Sequence, residues 1–275
     1  MSFQKQANHF QDTTVYKCDL HRTGVFLFET RRLFEAFAIH GDFARLQQEA
    51  LNKNLLGKTS TNTVKGMLGA FRRRFLQAHP PLPPAALVAR AIISRLPELA
   101  KTQILFPYYI FSDALVNDVY RDLVLARLAG ENGTLTREDL LAYLEESSKN
   151  HPELQKWAES TKIRWVRGML SMLRAFGLLG HAPGATLYPF YLRPETFAFF
   201  WLWLRQQGFS FHEARSLELW VVLQVSDEGH FNDLFLAGQQ QGWWQLMRSG
   251  EMVEFSTSFH SVEEWLGHAV ERSKD

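Results

Sequence analysis

Between Lys58 and Leu76 the chain sets an apolar arc against a run of cations with no acid among them, which strongly favours an amphipathic helix. The lead-in Lys58-Thr59-Ser60-Thr61-Asn62-Thr63 is rich in side chains that accept hydrogen bonds from the first free N–H groups of a helix, so a start near Ser60 is predicted. At about 100° per residue, Val64, Met67, Leu68, Phe71 and Phe75 share the face that must be buried. Asn62, Lys65, Gly66, Gly69, Arg72 and Arg73 fall opposite, while Arg74 lies nearer the buried arc and is expected to pair internally. Each glycine costs roughly 1 kcal/mol relative to alanine inside a helix, so something should compensate. Two explanations stand: the helix backbone approaches a phosphate strand closely, or the glycines pack against a neighbouring helix and the cations are merely solvated.

The whole chain is nearly balanced, with 30 Lys and Arg against 29 Asp and Glu in 275 residues, so positive charge is concentrated in this stretch. Nucleic-acid binding would therefore depend on local patches. The single cysteine, Cys18, excludes an internal disulfide framework and a cysteine zinc site, and fits a reducing cytoplasm. Met1 to Asp12 lacks the apolar core of a secretory signal. The longest aromatic run, Phe197 to Leu204, is far shorter than the ~20 residues of a membrane span, so no membrane association is expected. The 22 Phe and 8 Trp suggest bulky packing or a partner surface, above all in the second half.

Ahead of the basic stretch, Val25 to Ile39 shows helical spacing and ends at Gly41; Asp42 can cap a second helix reaching about Asn52. Three helices with short links, the third basic, match a helix-turn-helix module over residues 1–80. In that layout Thr61, Asn62 and Lys65 are candidates for base-edge or groove contacts, and Lys58, Arg72 and Arg73 for phosphate contacts. Pro80, Pro81, Pro83 and Pro84 mark a break before a helical connector over residues 81–130, in which Pro107 is expected to interrupt one helix and Ser112 to cap the next, Asp113 to Ala129. Leu115, Val119, Leu123 and Leu128 form its expected core face.

A second module, residues 131–275, repeats the layout. Thr136 and Asp139 stand at capping-box spacing, and Thr161 to Phe176 forms an inward face from Ile163, Val166, Leu170 and Leu173. Leu178 to Tyr188 reads as two extended runs around Pro183-Gly184, the form of a wing after a recognition helix. A winged-helix-like region is predicted, with Lys162, Arg164, Arg167 and Arg174 reaching phosphates; the alternative is pairing with neighbouring acids. Phe211 to Ser226 suits helix or strand, and a hairpin surrounds Arg248-Ser249-Gly250 before a last helix, Ser261 to Arg272. The predicted class is thus mainly α with short β-hairpins.

Catalytic signatures are missing: no P-loop, dinucleotide glycine motif, nucleophile elbow or His-Glu-x-x-His occurs, and the ten histidines are scattered. No catalytic residue, metal site or cofactor is expected. The order of segments, from Glu29-Thr30-Arg31 through Asn52-Lys53-Asn54-Leu55-Leu56 and Lys58-Thr59-Ser60 to Phe71-Arg72-Arg73-Arg74-Phe75, then Trp157 and Lys162 to Leu179, resembles the BrxA family of bacteriophage-exclusion (BREX) defence systems. The likeness covers roughly Leu20 to Leu192. It implies a non-enzymatic, cytoplasmic protein that binds double-stranded DNA beside other BREX proteins, and of site residues it carries over only Ser60 to Phe75. The competing expectation is an adaptor that docks a defence protein through its aromatic C-terminal half.

Overall fold

The computed structural model describes residues 15–16, 20, 25–130, 133–181, 185–225, 227–249 and 252–268. Helix α1 (Leu27–His40) stops at Gly41, whose φ of 64° is open to glycine at little cost and whose N–H reaches the Phe37 carbonyl. Asp42 then accepts from the Arg45 N–H at 2.8 Å and starts α2 (Phe43–Asn52). Ser60 caps α3 (Thr61–Phe71), which a π-helical turn (Arg72–Leu76) continues. All five apolar positions expected inward are buried, and Phe34 of α1 meets Phe71 and Phe75 edge to face, each at 4.8 Å.

Helix α4 (Ala85–Ile93) leads to α5 (Glu98–Phe111), which runs through Pro107 where a break was expected. Burial of nearly every residue from Gln103 to Ile110 outweighs the lost backbone hydrogen bond. Asp113, one residue beyond the expected Ser112, caps α6, which begins as Ala114–Val119, widens into a π-helical stretch (Tyr120–Leu125) and closes as Ala126–Ala129. The wider turn changes the inward face: Tyr120 and Val124 are buried, whereas Leu123 and Leu128 are only partly so.

The Thr136–Asp139 capping box forms as expected and opens α7 (Arg137–Ser147). Arg127 grips the Asp139 carboxylate at 2.7 and 2.8 Å, tying α6 to α7. Burial raises the Asp139 pKa, but Arg127 and the Thr136 donors outweigh it and hold the carboxyl below its usual range. A short α8 (Pro152–Gln155) precedes α9 (Glu159–Ala175). Beyond it, Gly180 N–H donates to the Thr186 carbonyl at 2.9 Å, and Leu135 N–H and Leu187 N–H bond across to Ala185 and Gly133, both at 2.7 Å. The chain near 185–187 therefore lies between the segments at 133–135 and 178–180.

The C-terminal part is built on α10 (Pro194–Gln206), where Phe197, Phe199, Phe200 and Trp201 are fully buried. Phe211 to Ser226 resolves into two short helices, α11 (Phe211–Arg215) and α12 (Glu218–Val222), followed by α13 (Glu228–Gln240). Strands β1 (Gln245–Ser249) and β2 (Met252–Ser256) pair antiparallel with Ser249 opposite Met252, and α14 (Val262–His268) closes the described chain. Rings of Phe197, Trp201, Trp220, Phe235 and Trp244 pack on one another at centroid distances from 4.7 to 6.2 Å, which makes the aromatic half a core. Met1 to Asp12, Cys18, the Pro183-Gly184 turn, Gly250 and the end of the last helix beyond His268 lie outside the described residues.

Candidate nucleic-acid interface

Helix α3 presents Thr61, Asn62 and Lys65 on its exposed side, and the π-helical turn that continues it adds Arg72. The two glycines among them meet almost nothing. A Cβ at Gly66 would have no heavy atom within 4 Å, and one at Gly69 would touch only the end of the Arg73 side chain at 3.4 Å. Among the described residues, packing against a neighbouring helix therefore does not explain them, and nothing there compensates their helical cost.

The other basic residues of the stretch differ among themselves. The Arg74 guanidinium turns inward, as its position near the apolar arc predicts, and lies 4.3 Å from the Tyr109 ring centre and 5.5 Å from that of Phe26. Arg73 is half-buried, and its carbonyl lies 3.1 Å from Nε2 of His79, whose burial pulls its pKa down. Lys58 sits 2.5 Å from the Glu29 carboxylate and ties the loop before α3 to α1. Arg72 remains exposed, 5.9 Å from the Phe43 ring of α2.

On α9, Arg164 and Arg167 are exposed beside Ser171. Lys162 pairs instead with Glu145 of α7 at 3.2 Å, and Arg174 donates through Nε to the Gly180 carbonyl at 2.9 Å, fixing the first extended segment to its helix. Both therefore hold parts of the module together. Among the described residues no ion pair engages Lys65, Arg72, Arg164 or Arg167.

Sequence reasoning passed over Gly168 of α9. A Cβ there would lie 3.1 Å from both Cγ and the carbonyl oxygen of Leu20, so glycine is what lets the chain at Leu20 come so close. The clue was available, since the helical cost noticed at Gly66 and Gly69 applies equally at Gly168.

A hollow of about 410 Å³ lies between the proline-rich loop from Gln77 to Pro84 and Phe111, Trp203 and Phe209. Its polar groups do not converge: the His79 ring bonds to the Arg73 carbonyl, and the Trp203 N–H donates to the Pro81 carbonyl at 2.9 Å. Among the described residues no helix is long and apolar enough to cross a membrane, and no three His, Cys, Asp or Glu side chains gather closely enough to hold a metal ion.

No curated protein matches the chain. A crystal structure of an uncharacterized protein from Magnetospirillum magneticum is similar with a TM-score of 0.56 at 16% identity, over 71% of this chain and 94% of that one, a likeness of fold alone. The model of the BrxA family matches residues 14–201, which takes in both basic helices and the core that carries them. The chain therefore belongs to the BrxA family and is a BREX-associated protein.

Proposed function

We propose that the protein is a non-enzymatic DNA-binding component of BREX defence that engages duplex DNA in the cytoplasm through α3 and α9. In this reading α1 to α3 are a helix-turn-helix module with α3 as the recognition helix. The second module is a winged helix, supported by α7 and α9 set between an extended segment at 133–135 and two more at 178–180 and 185–188 that pair with each other and with it. The observation that carries the reading is the open face of α3, where Lys65 and Arg72 flank two glycines that, among the described residues, only the end of the Arg73 side chain approaches. Such a face lets cations reach phosphates while a thin helix wall approaches the groove. Arg164 and Arg167 supply the matching cations of α9. Thr61 and Asn62, on the first turn of α3, meet base edges.

Against the adaptor reading, the rings of Phe197, Trp201, Trp220, Phe235 and Trp244 are spent in the core, although Tyr188 and Tyr191 are exposed. A gel shift with random-sequence duplex tests the proposal, using the parent and a variant with Lys65, Arg72, Arg164 and Arg167 all replaced by alanine. Loss of at least a hundredfold in affinity is expected. Equal binding by the two proteins overturns the assigned surface.

A further inference from the structure

We infer that Tyr16 and Leu20 are two anchor points that set the spacing between the two basic helices, and so position them for a shared duplex. The inference rests on the duplex-binding reading above. Tyr16 is anchored in three ways: its hydroxyl donates to Asp118 of α6 at 2.6 Å, its backbone N–H donates to Glu153 of α8 at 2.8 Å, and its ring stacks on His151 at 3.7 Å. Four residues on, Leu20 is 2% exposed. It lies against Gly168 of α9 and lines a small cavity of about 20 Å³ with Ala70, Arg73 and Arg74 of the α3 stretch and with Asp113 and Val116 at the head of α6.

Helices α3 and α9 have no extensive packing against each other, so their separation depends on what stands between them. Leu20 lies against α9 at Gly168, where a Cβ would crowd it at 3.1 Å, and it borders the same small cavity as Ala70, Arg73 and Arg74 of the α3 stretch. A rigid spacer makes binding of the second helix intramolecular once the first is on the duplex. A loosened one loses that advantage without removing a single cation. Tyr16 and Leu20 are thus positioning residues that need not touch DNA.

Spin labels at Thr63→Cys on α3 and Ser171→Cys on α9, with Cys18→Ser in the background, report the helix separation by electron–electron resonance without DNA. Gel shifts on unlabelled Leu20→Ala and Tyr16→Phe variants report the consequence. A broadened or shifted distance distribution in either variant, together with at least a tenfold weaker duplex affinity, is the expected result. An unchanged distribution overturns the inference, even if the melting temperature falls. So does a broadened distribution with parental affinity. Tyr16→Phe keeps the ring and its stacking, so it serves where Leu20→Ala fails to fold. A parent that binds no duplex overturns the function proposed above, whereas the separation of α3 and α9 is still read from the labels.

Discussion

Helices α3 and α9 carry the same pattern, an apolar face backed by exposed arginines with glycine among them, yet their glycines do opposite things. Gly66 faces open space. Gly168 is filled to contact by Leu20. A glycine in a basic helix is therefore not a mark of DNA approach by itself. What separates the two cases is whether the chain already occupies the space a side chain would take, and only on α3 is that space left for something else. Lys58, Lys162 and Arg174 teach the same lesson for charge. All three looked like phosphate contacts from their spacing, and all three hold internal partners.

The comparison can be broken or sharpened by adding carbon where the chain is full and where it is empty. Gly238 is the extreme of the filled kind, since a Cβ there would lie 1.9 Å from the buried Trp244 ring. Gly238→Ala should cost about 3 kcal/mol in urea denaturation, because neither the helix nor the ring has room to shift. Gly168→Leu should cost about 2 kcal/mol by the same measurement, as it must expel Leu20 from between the helices. A cost near zero would mean that Leu20 is not seated there. Gly66→Ala should do the reverse, raising stability by about 1 kcal/mol while weakening duplex binding. If that variant binds DNA as tightly as the parent, the open face is not where the duplex approaches.

The smallest effect concerns the end of α3. Burial lowers the His79 pKa from its ordinary value of 6.5, so the neutral ring is favoured in the folded state. Its contribution is then present above about pH 6.5 and is lost as pH falls through the lower folded value. Replacing His79 by Gln should flatten the fall in melting temperature on the acid side of about pH 6.5, and an unchanged profile would place the acid sensitivity elsewhere.

Local physics made much of the fold legible. The caps at Asp42, Ser60 and Thr136 and the buried arc of α3 follow from side chains within one or two turns of each other. Pro107 was misread because the tertiary burial that overrides its local cost is invisible in a window of sequence. The π-helical stretch of α6 defeated the face assignment for a related reason: a single inserted position rotates everything after it, and Leu123 carries no sign of that. At the candidate site, exposure of Lys65, Arg72, Arg164 and Arg167 agrees with helical spacing. The partners of Lys58, Lys162 and Arg174 are set by how elements come together, as is the contact of Leu20 with Gly168, and no local pattern encodes it.

The claim that the open face of α3 holds phosphates is tested most directly by the salt dependence of duplex affinity. Each phosphate neutralised contributes about −0.9 to the slope of log K against log salt. Replacing Lys65 and Arg72 together by alanine should therefore make the slope less steep by about 1.8. A variant whose slope equals that of the parent, whatever its affinity, would contradict the account.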